Sequence, residues 1–309
     1  MLYTLFVFLA GLPHSVSVRV NNRGHAAIKI ENSLNASFTL LPTVESVSPH
    51  TGSMMGGSIL TISGNGFSPN PDVKIGGSQC QILSSSYTQI KCQTTASGTS
   101  QSLPVVVRVH GVESYCASSC MFTYSAAETP RVDSLTPSAI VGDDNTIRVY
   151  GSGLPSKVSD LDIKIGDTSC SITSSSEYSA SCRVGSVVAG THDVKIHVAG
   201  QGFAMFEAGA SPVIKGLAIL SSITPTEGSI MGGTELSIKG SGFDPVPGRT
   251  TVKIGANFCS IVRVTSSEVK CRTSAHGPGS FEVCQYYIKY RWKTQFSLGR
   301  SHRLIPGRW

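Results

Sequence analysis

Short apolar runs that alternate with polar residues recur along the whole chain. In residues 105–109 and 194–198 one face is apolar and the other polar, which is the pattern of a half-buried strand. Shorter β-branched runs, such as residues 59–62 and 146–149, are bounded by glycines and predict further strands. About seven such runs, separated by turn residues, fill each of three successive stretches, and this predicts antiparallel sandwiches of the immunoglobulin type.

The three stretches are copies of one repeat with a period of 87–90 residues. Each copy runs through a Pro-led, Gly-rich turn, then Gly-x-Gly, then Lys-Ile-Gly, then two cysteines twelve residues apart. The second copy departs from the pattern, since Asp143-Asp144 replaces the second glycine of the turn and Leu154 replaces a phenylalanine. The cysteine pairs are Cys80 and Cys92, Cys170 and Cys182, and Cys259 and Cys271. Four features in one order, three times, establish a tandem array.

This order of motifs resembles the IPT/TIG domain, the immunoglobulin-like domain shared by plexins, fibrocystins and Rel-type transcription factors. The resemblance covers residues 42 to about 283. The arrayed copies with Ser-rich hairpins are most similar to the fibrocystin and fibrocystin-L group, because plexin-type arrays are normally interleaved with other Cys-rich modules. The resemblance implies an all-β fold of tandem immunoglobulin-like (E-set) β-sandwiches. It also implies that the chain is a fragment or short isoform of a large ectodomain.

The period predicts how the chain divides into domains. Residues 14–20 mirror residues 192–198, two periods later, which indicates the end of a preceding repeat. After Val283 nothing matches the closing hairpin of the second copy, so the third copy is expected to be truncated. The predicted units are a partial repeat at 14–40, repeats at 42–125, 130–207 and 220–288, and a basic, non-homologous tail at 289–309.

The net charge of +6 belongs to the tail. Six basic residues and no acidic ones follow Cys284, and without these six the 25 basic residues equal the 19 acidic ones. The favoured interpretation is an alternative transcript end, and the functional alternative is a basic segment for anionic membranes or nucleic acid. Residues 2–12 are apolar but lack a basic flank, which favours an alternative start over a signal peptide. No run approaches the ~18 apolar residues of a membrane span.

The cysteines predict disulfides and an oxidising compartment. Two cysteines twelve apart about a Ser-rich midpoint are expected to face each other across a hairpin, which brings them into bonding range. Cys116 and Cys120 are expected to close a small loop of their own. The alternative, structural zinc, needs two close ligand pairs, and Cys116 with Cys120 is the nearest candidate for one. The sequon Asn35-Ala36-Ser37 predicts glycosylation at Asn35, and Cys284 is left as a free thiol.

No motif of the sequence predicts catalysis. The Gly-x-Gly motifs do not continue into either nucleotide-binding pattern, and the eight histidines show no ligand spacing. Asp143-Asp144 with Asp160 and Asp162 could form a calcium site, but solvated turn residues are the favoured interpretation. We therefore expect no enzyme, no catalytic residue, no cofactor and no metal.

Three functions remain in competition. The favoured one is a non-catalytic, cell-surface or extracellular binding and spacer module of a fibrocystin-like receptor, with a protein or glycan ligand. The resemblance implies a single-pass membrane parent, although this chain has no expected span. The alternatives are a Rel-type DNA-binding or dimerisation module and a non-catalytic adjunct of a secreted carbohydrate-active enzyme. The neutral domains and the repeated cysteine pairs argue against nucleic acid.

Overall fold

The computed structural model describes residues 13–15, 19–20, 24–25, 37–142, 145–281 and 283–287. Over these residues the chain is built of strands, with a single short 3₁₀ helix at Val158–Asp160. The all-β prediction is confirmed. Within the same residues no helix is long and apolar enough to cross a membrane.

The N-terminal segment forms four short strands. These are β1 (Pro13–Ser15), β2 (Arg19–Val20), β3 (Gly24–His25) and β4 (Ser37–Thr39). β1 pairs antiparallel with β4, and β2 pairs with β3, so that Arg19 lies opposite His25. His197 lies opposite Phe203 in the same way, 178 residues further along.

The first repeat is a sandwich of two sheets. Its strands are β5 (Thr43–Ser48), β6 (Thr51–Ser53), β7 (Ile59–Asn65), β8 (Asp72–Ile75), β9 (Ser78–Gln79), β10 (Gln81–Ser85), β11 (Gln89–Gln93), β12 (Gln101–Val109), β13 (Val112–Glu113), β14 (Tyr115–Cys116) and β15 (Met121–Ser125). One sheet has the order β10-β11-β7-β5-β14 and the other β6-β15-β12-β8-β9, with β13 paired to β12. Alternate side chains of each strand point into the space between the sheets.

The second repeat has the same two sheets. Its strands are β16 (Arg131–Thr136), β17 (Ala139–Val141), β18 (Asn145–Ser152), β19 (Leu161–Ile165), β20 (Thr168–Ser176), β21 (Ser179–Val184), β22 (Gly190–Val198), β23 (Gly202–Phe203), β24 (Met205–Phe206) and β25 (Val213–Leu217). The predicted boundary at residue 207 leaves out β25, which pairs with β22 and β17 and so completes the second sandwich.

The third repeat has fewer described strands. They are β26 (Ile219–Thr224), β27 (Glu235–Ser241), β28 (Thr250–Ile254), β29 (Asn257–Val264), β30 (Glu268–Arg272) and β31 (Val283–Tyr287), in the order β26-β27-β30-β29-β28-β31. The pairing of β31 with β28 matches that of β22 with β19 in the second repeat. The first of the expected closing strands is therefore present.

One strand of each repeat passes from one sheet to the other. The first half of β20 pairs with β19 and its second half with β21, and β29 does the same between β28 and β30. In the first repeat this strand is interrupted at Cys80, between β9 and β10. The first cysteine of each pair therefore lies where the strand crosses, at the centre of the core.

Each repeat has its own hydrophobic core, and each core contains its cysteine pair. The largest fully buried side chains include Phe122 and Tyr124 in the first repeat and Phe243 in the third. Among the described residues the third core is the smallest, with seven buried apolar side chains against sixteen and eighteen in the first and second repeats.

Candidate interaction surfaces

The structure contains four disulfides. They are Cys80–Cys92, Cys116–Cys120, Cys170–Cys182 and Cys259–Cys271. In the three pairs with the longer spacing the Cα atoms are 5.5–5.6 Å apart and the sulfurs are buried in the cores. Cys116–Cys120 closes a short loop at the edge of the first repeat, and Cys116 is exposed.

The two cysteines of each longer pair do not face each other across the hairpin, as the spacing argument had placed them. Cys182 lies opposite Ile172, two residues beyond its bonded partner Cys170. A bulge between Ile172 and Ser174 shifts the register, and the same bulge recurs in the other two repeats. Each disulfide therefore ties the crossing strand diagonally to its neighbour, which sequence spacing alone does not reveal.

Several predicted features lie outside the described residues. Asn35 and its sequon, residues 2–12, the pair Asp143-Asp144 and the tail at 289–309 belong to this group. Cys284 lies on β31 opposite Lys253, but its side chain is outside the description. Glycosylation at Asn35 and a free thiol at Cys284 stay predictions.

The acidic candidates for a calcium site, Asp160 and Asp162, contact side chains of their own repeat. No three histidine, cysteine or acidic side chains of those residues lie close enough together to hold a metal ion. Asp160 accepts a hydrogen bond from Ser159 Oγ at 2.9 Å, and Asp162 lies 3.9 Å from Lys164 Nζ. These contacts fit the interpretation of Asp160 and Asp162 as solvated surface residues.

His276 in the third repeat has a carbonyl oxygen at each ring nitrogen. Nε2 lies 2.7 Å from the oxygen of Ile254, and Nδ1 lies 2.9 Å from that of Ser274. The Ile254 carbonyl, and then that of Ser274, raises the pKa of His276, because only the imidazolium can donate to both. The charged form of this side chain therefore links β28 to the loop after β30.

The first and second repeats meet through backbone hydrogen bonds. The first-repeat turn, residues 53–58, lies against the closing hairpin of the second repeat, residues 197–203. The amide of Ser53 donates to the carbonyl of Gln201 at 2.8 Å, and the amide of Phe203 donates to that of Gly56 at 2.8 Å. His197 Nε2 lies 2.9 Å from the carbonyl oxygen of Gly57. Two backbones in such contact form a fixed junction rather than a flexible link.

Glycines on both sides permit this approach. A Cβ on Gly57 would lie 2.5 Å from the ring of Phe203, and one on Gly202 would lie 2.4 Å from the carbonyl oxygen of Gly56. Gly57 also has a φ of +82°, which side chains disfavour. Ser53 and Ser58 are buried beneath the hairpin, and Ser53 Oγ donates to the carbonyl of Phe203 at 2.6 Å. The junction is therefore close-packed.

The second and third repeats meet differently. The amide of Ala189 donates to the carbonyl of Gly242 at 2.9 Å, and the amide of Gly242 donates to Ser186 Oγ at 3.1 Å. β25 ends at Leu217 and β26 begins at Ile219, so a single residue connects the two sandwiches. A connection this short restricts their relative rotation even with fewer hydrogen bonds.

A family model described as the IPT/TIG domain matches residues 42–124, 130–209 and 218–296. The chain belongs to the IPT/TIG domain family. The third IPT/TIG match extends to residue 296, past residue 288, where the repeat had been predicted to end.

The IPT/TIG repeats of this chain are similar to those of much longer proteins. Human fibrocystin-L is 33% identical over 278 residues, covering 88% of this chain and 6% of that protein. Mouse fibrocystin is 27% identical over 187 residues, covering 59% of this chain and 4% of that protein. The chain thus spans only a small part of the relatives that it matches. The resemblance to the fibrocystin group is confirmed.

Among solved structures, the full extracellular region of plexin A4 matches 86% of this chain and 24% of that chain. The identity is 18% and the TM-score is 0.36. The IPT/TIG family, the fibrocystin relatives and the four disulfides together support a non-catalytic, extracellular module.

Proposed function

We propose that the chain is a rigid spacer in the ectodomain of a fibrocystin-like receptor at the cell surface, and that it presents its sheets to a protein or glycan ligand. The observation that carries the spacer role is the first junction, where the first-repeat turn and the closing hairpin exchange backbone hydrogen bonds across two glycines. A built junction holds two repeats at one angle, and a flexible linker does not. The buried disulfides suit an oxidising compartment.

Exposed tyrosines support the ligand-binding part of the proposal. The backbones of Tyr150 and Tyr178 lie close together on the second repeat, because Tyr150 pairs with Ser179 and the amide of Gly151 donates to the carbonyl of Tyr178. Their side chains are 44% and 64% exposed. Tyrosine gives a large apolar face and a hydroxyl at low entropic cost, and is therefore enriched where proteins bind partners. We assign the surface that includes Tyr150 and Tyr178 as the contact surface.

The spacer role is tested by measuring the distance between repeats. Spin labels on non-natural residues at Lys91 and Lys157 report the first junction by pulsed dipolar spectroscopy. We expect one narrow distance distribution, which broadens in Gly57→Arg because the arginine displaces the Phe203 ring. Gly111→Arg is the matched control, since Gly111 has the same φ of +82° and no atom within 4 Å of its Cβ position. A broad distribution in the unaltered chain would refute the spacer role.

The ligand-binding part is tested separately, by immobilised glycans and by a panel of purified ectodomains. The proposal expects retention that Tyr150→Ser with Tyr178→Ser reduces at least tenfold. Retention unchanged by these substitutions would refute the assigned surface. Salt-dependent retention on DNA, with none on glycans or ectodomains, would favour the Rel-type alternative instead.

A further inference from the structure

The third repeat has the same turn as the first repeat. Gly57 donates to the carbonyl of Thr94 at 2.8 Å, and Gly233 donates to that of Thr273 at 2.8 Å. Gly233 has a φ of +80°, close to that of Gly57. Further matching pairs of hydrogen bonds are Met55 N to Ser53 Oγ with Met231 N to Ser229 Oγ, and Gly56 N to Ser53 O with Gly232 N to Ser229 O. Residues 229–234, the third-repeat turn, thus repeat the geometry that the closing hairpin binds.

The two turns differ in what covers them. Gly56, Gly57 and Ser58 are buried under the closing hairpin, whereas Met231 is 80% exposed and Ile230 is 56% exposed. The Phe203 ring presses on Gly57, whereas no atom of the described residues lies within 4 Å of the Cβ position of Gly233.

A shallow cavity of ≈ 460 Å³ adjoins the third-repeat turn. Its walls include Ile230, Met231, His276 and Phe281, and Phe281 is itself 44% exposed. The ring centroids of His276 and Phe281 are 4.9 Å apart in an edge-on arrangement. Apolar side chains thus lie beside the third-repeat turn and are open to solvent.

The backbone acceptors of the third-repeat turn are also open. In the first repeat the carbonyls of Gly56 and Gly57 receive Phe203 N–H and the His197 ring. The corresponding carbonyls of Gly232 and Gly233 have no donor among the residues that the structure describes. Two uncovered acceptors beside an apolar surface match a ligand with two donors and an aromatic ring.

We propose that the third-repeat turn is a docking site for the closing hairpin of a further IPT/TIG repeat, one with a histidine and a phenylalanine at the positions of His197 and Phe203. The amide and ring of that phenylalanine take the places that Phe203 has at Gly56 and Gly57. One hydrogen bond changes on docking, because the Ser229 amide now donates to Thr234 Oγ1 at 3.1 Å, whereas its counterpart Ser53 donates to the hairpin. This inference extends the proposed spacer role, and it does not depend on the proposed protein or glycan ligand.

The first repeat's own hairpin shows which hairpins do not fit. Arg108 lies opposite Glu113 there, where the second repeat has His197 opposite Phe203. Arg108 and Glu113 form an ion pair at 3.0 Å. A charged pair cannot replace an aromatic ring against Met231 without losing its hydration. The required partner is therefore a repeat of the second type.

The first test uses a cyclic peptide that copies residues 194–206, added to the full chain with Cys284→Ser and isotope-labelled methionine methyl groups. The site predicts a saturable shift of the Met231 resonance and none at Met121 in the first repeat. The control peptide copies residues 105–115, with Arg108 and Glu113, and is expected to give no shift. Equal shifts with both peptides would overturn the proposal.

The second test does not depend on a peptide's folding. Gly57→Arg displaces the closing hairpin from its own turn, so the hairpin becomes free to bind the third-repeat turn of another copy. We expect this variant to self-associate with rising concentration in sedimentation velocity, and Gly57→Arg with Met231→Arg to be monomeric. Gly111→Arg, at the same φ, should stay monomeric. A monomeric Gly57→Arg chain, or association that survives Met231→Arg, would overturn the proposal, whereas the spacer role would still be decided by the distance measurement.

Discussion

The first-repeat turn and the third-repeat turn have the same backbone and opposite surroundings. In the first repeat two glycines and two serines are buried against the closing hairpin. At the same positions of the third repeat Ser229 and Gly233 are exposed and Gly232 and Thr234 are partly exposed. The hydrogen bonds within the two turns match except at the first residue, where Ser229 N–H donates to Thr234 Oγ1 and Ser53 N–H donates to the hairpin, so the difference lies in what covers the turn. A repeat unit thus determines its own fold, whereas its neighbour determines whether a surface is a junction or a free docking site.

The largest difference in stability between the first and third repeats is expected when their disulfides are removed. Removal of a pair as Cys259→Ala with Cys271→Ala should cost the third repeat about 3 kcal/mol through the lost loop closure. The first repeat should tolerate Cys80→Ala with Cys92→Ala better, because its core buries more apolar side chains among the described residues. Hydrogen exchange of each variant should show the third repeat opening and the first staying closed.

The matched control is Cys116→Ser with Cys120→Ser, which opens only a short loop at the edge of the first repeat. Its cost on the same relation is about 2 kcal/mol. If the third repeat kept its exchange protection without Cys259 and Cys271, the small size of its core would not limit its stability.

The same substitution at the two turns should give different losses of stability. Gly57→Ala and Gly233→Ala both place a side chain at positive φ, which costs roughly 1–2 kcal/mol. Only Gly57→Ala also pushes a Cβ to within 2.5 Å of the Phe203 ring. We expect Gly57→Ala to lose about 1–3 kcal/mol more in denaturant unfolding, by analogy with overpacked cores. Equal losses would mean that the first junction contributes nothing to stability.

The stability of the third repeat should depend on pH through His276, which has no titrating counterpart in the first repeat. The pKa of His276 is raised, whereas the structurally corresponding Ser97 does not titrate in this range. When folding raises the pKa of a group, the group stabilises the folded state fully at pH values below its ordinary pKa, which is near 6.5 for histidine. That contribution is lost as the pH rises through the pKa of the folded state. Hydrogen exchange of the third repeat should therefore accelerate beyond the intrinsic rate as the pH rises above about 6.5.

His276→Gln is the control for this pH dependence, because glutamine keeps a donor but has no proton to lose. The excess acceleration should disappear in that variant and should be absent from the first repeat throughout. An excess that persists in His276→Gln would assign the effect to another group.

The smallest loss of stability is expected from a substitution in the hairpin of the first repeat. Arg108 and Glu113 are about half exposed, so Arg108→Ala should change the unfolding free energy by no more than about 1 kcal/mol. Phe203→Ala at the second hairpin should cost more, because that ring is part of a junction. Denaturant unfolding of the two variants makes the comparison, and a larger loss in Arg108→Ala would contradict it.

Much of the fold is predictable from the sequence because its signals are local and repeat three times. The alternation of residues 194–198 predicts a strand that is present in β22, and the twelve-residue spacing points to the same cysteine partners that are bonded. The register of those cysteines is not predictable from the spacing, since the hairpin turns at residues 177–178 and not at residue 176, midway between the cysteines.

The junction could not be predicted because it joins residues far apart in the chain. His197 and Gly57 are separated by 140 residues, and the Gly-Gly pair is fully explained by a turn within its own repeat. The same pair recurs at Gly232 and Gly233, where no hairpin of the described residues covers it, so the motif alone does not distinguish a buried turn from an open one. The distinguishing residue, Phe203, is a single aromatic in another repeat.

The most direct test of a fixed first junction is the hydrogen exchange of two amides in the full chain. Ser53 N–H and Phe203 N–H donate to carbonyls of the opposite repeat, so their protection reports the junction itself. The account predicts slow exchange at both amides in the native chain and fast exchange in Gly57→Ala, while the core amides of both repeats stay protected. Exchange at Ser53 and Phe203 as fast as at exposed loop amides, while the cores stay protected, would contradict it.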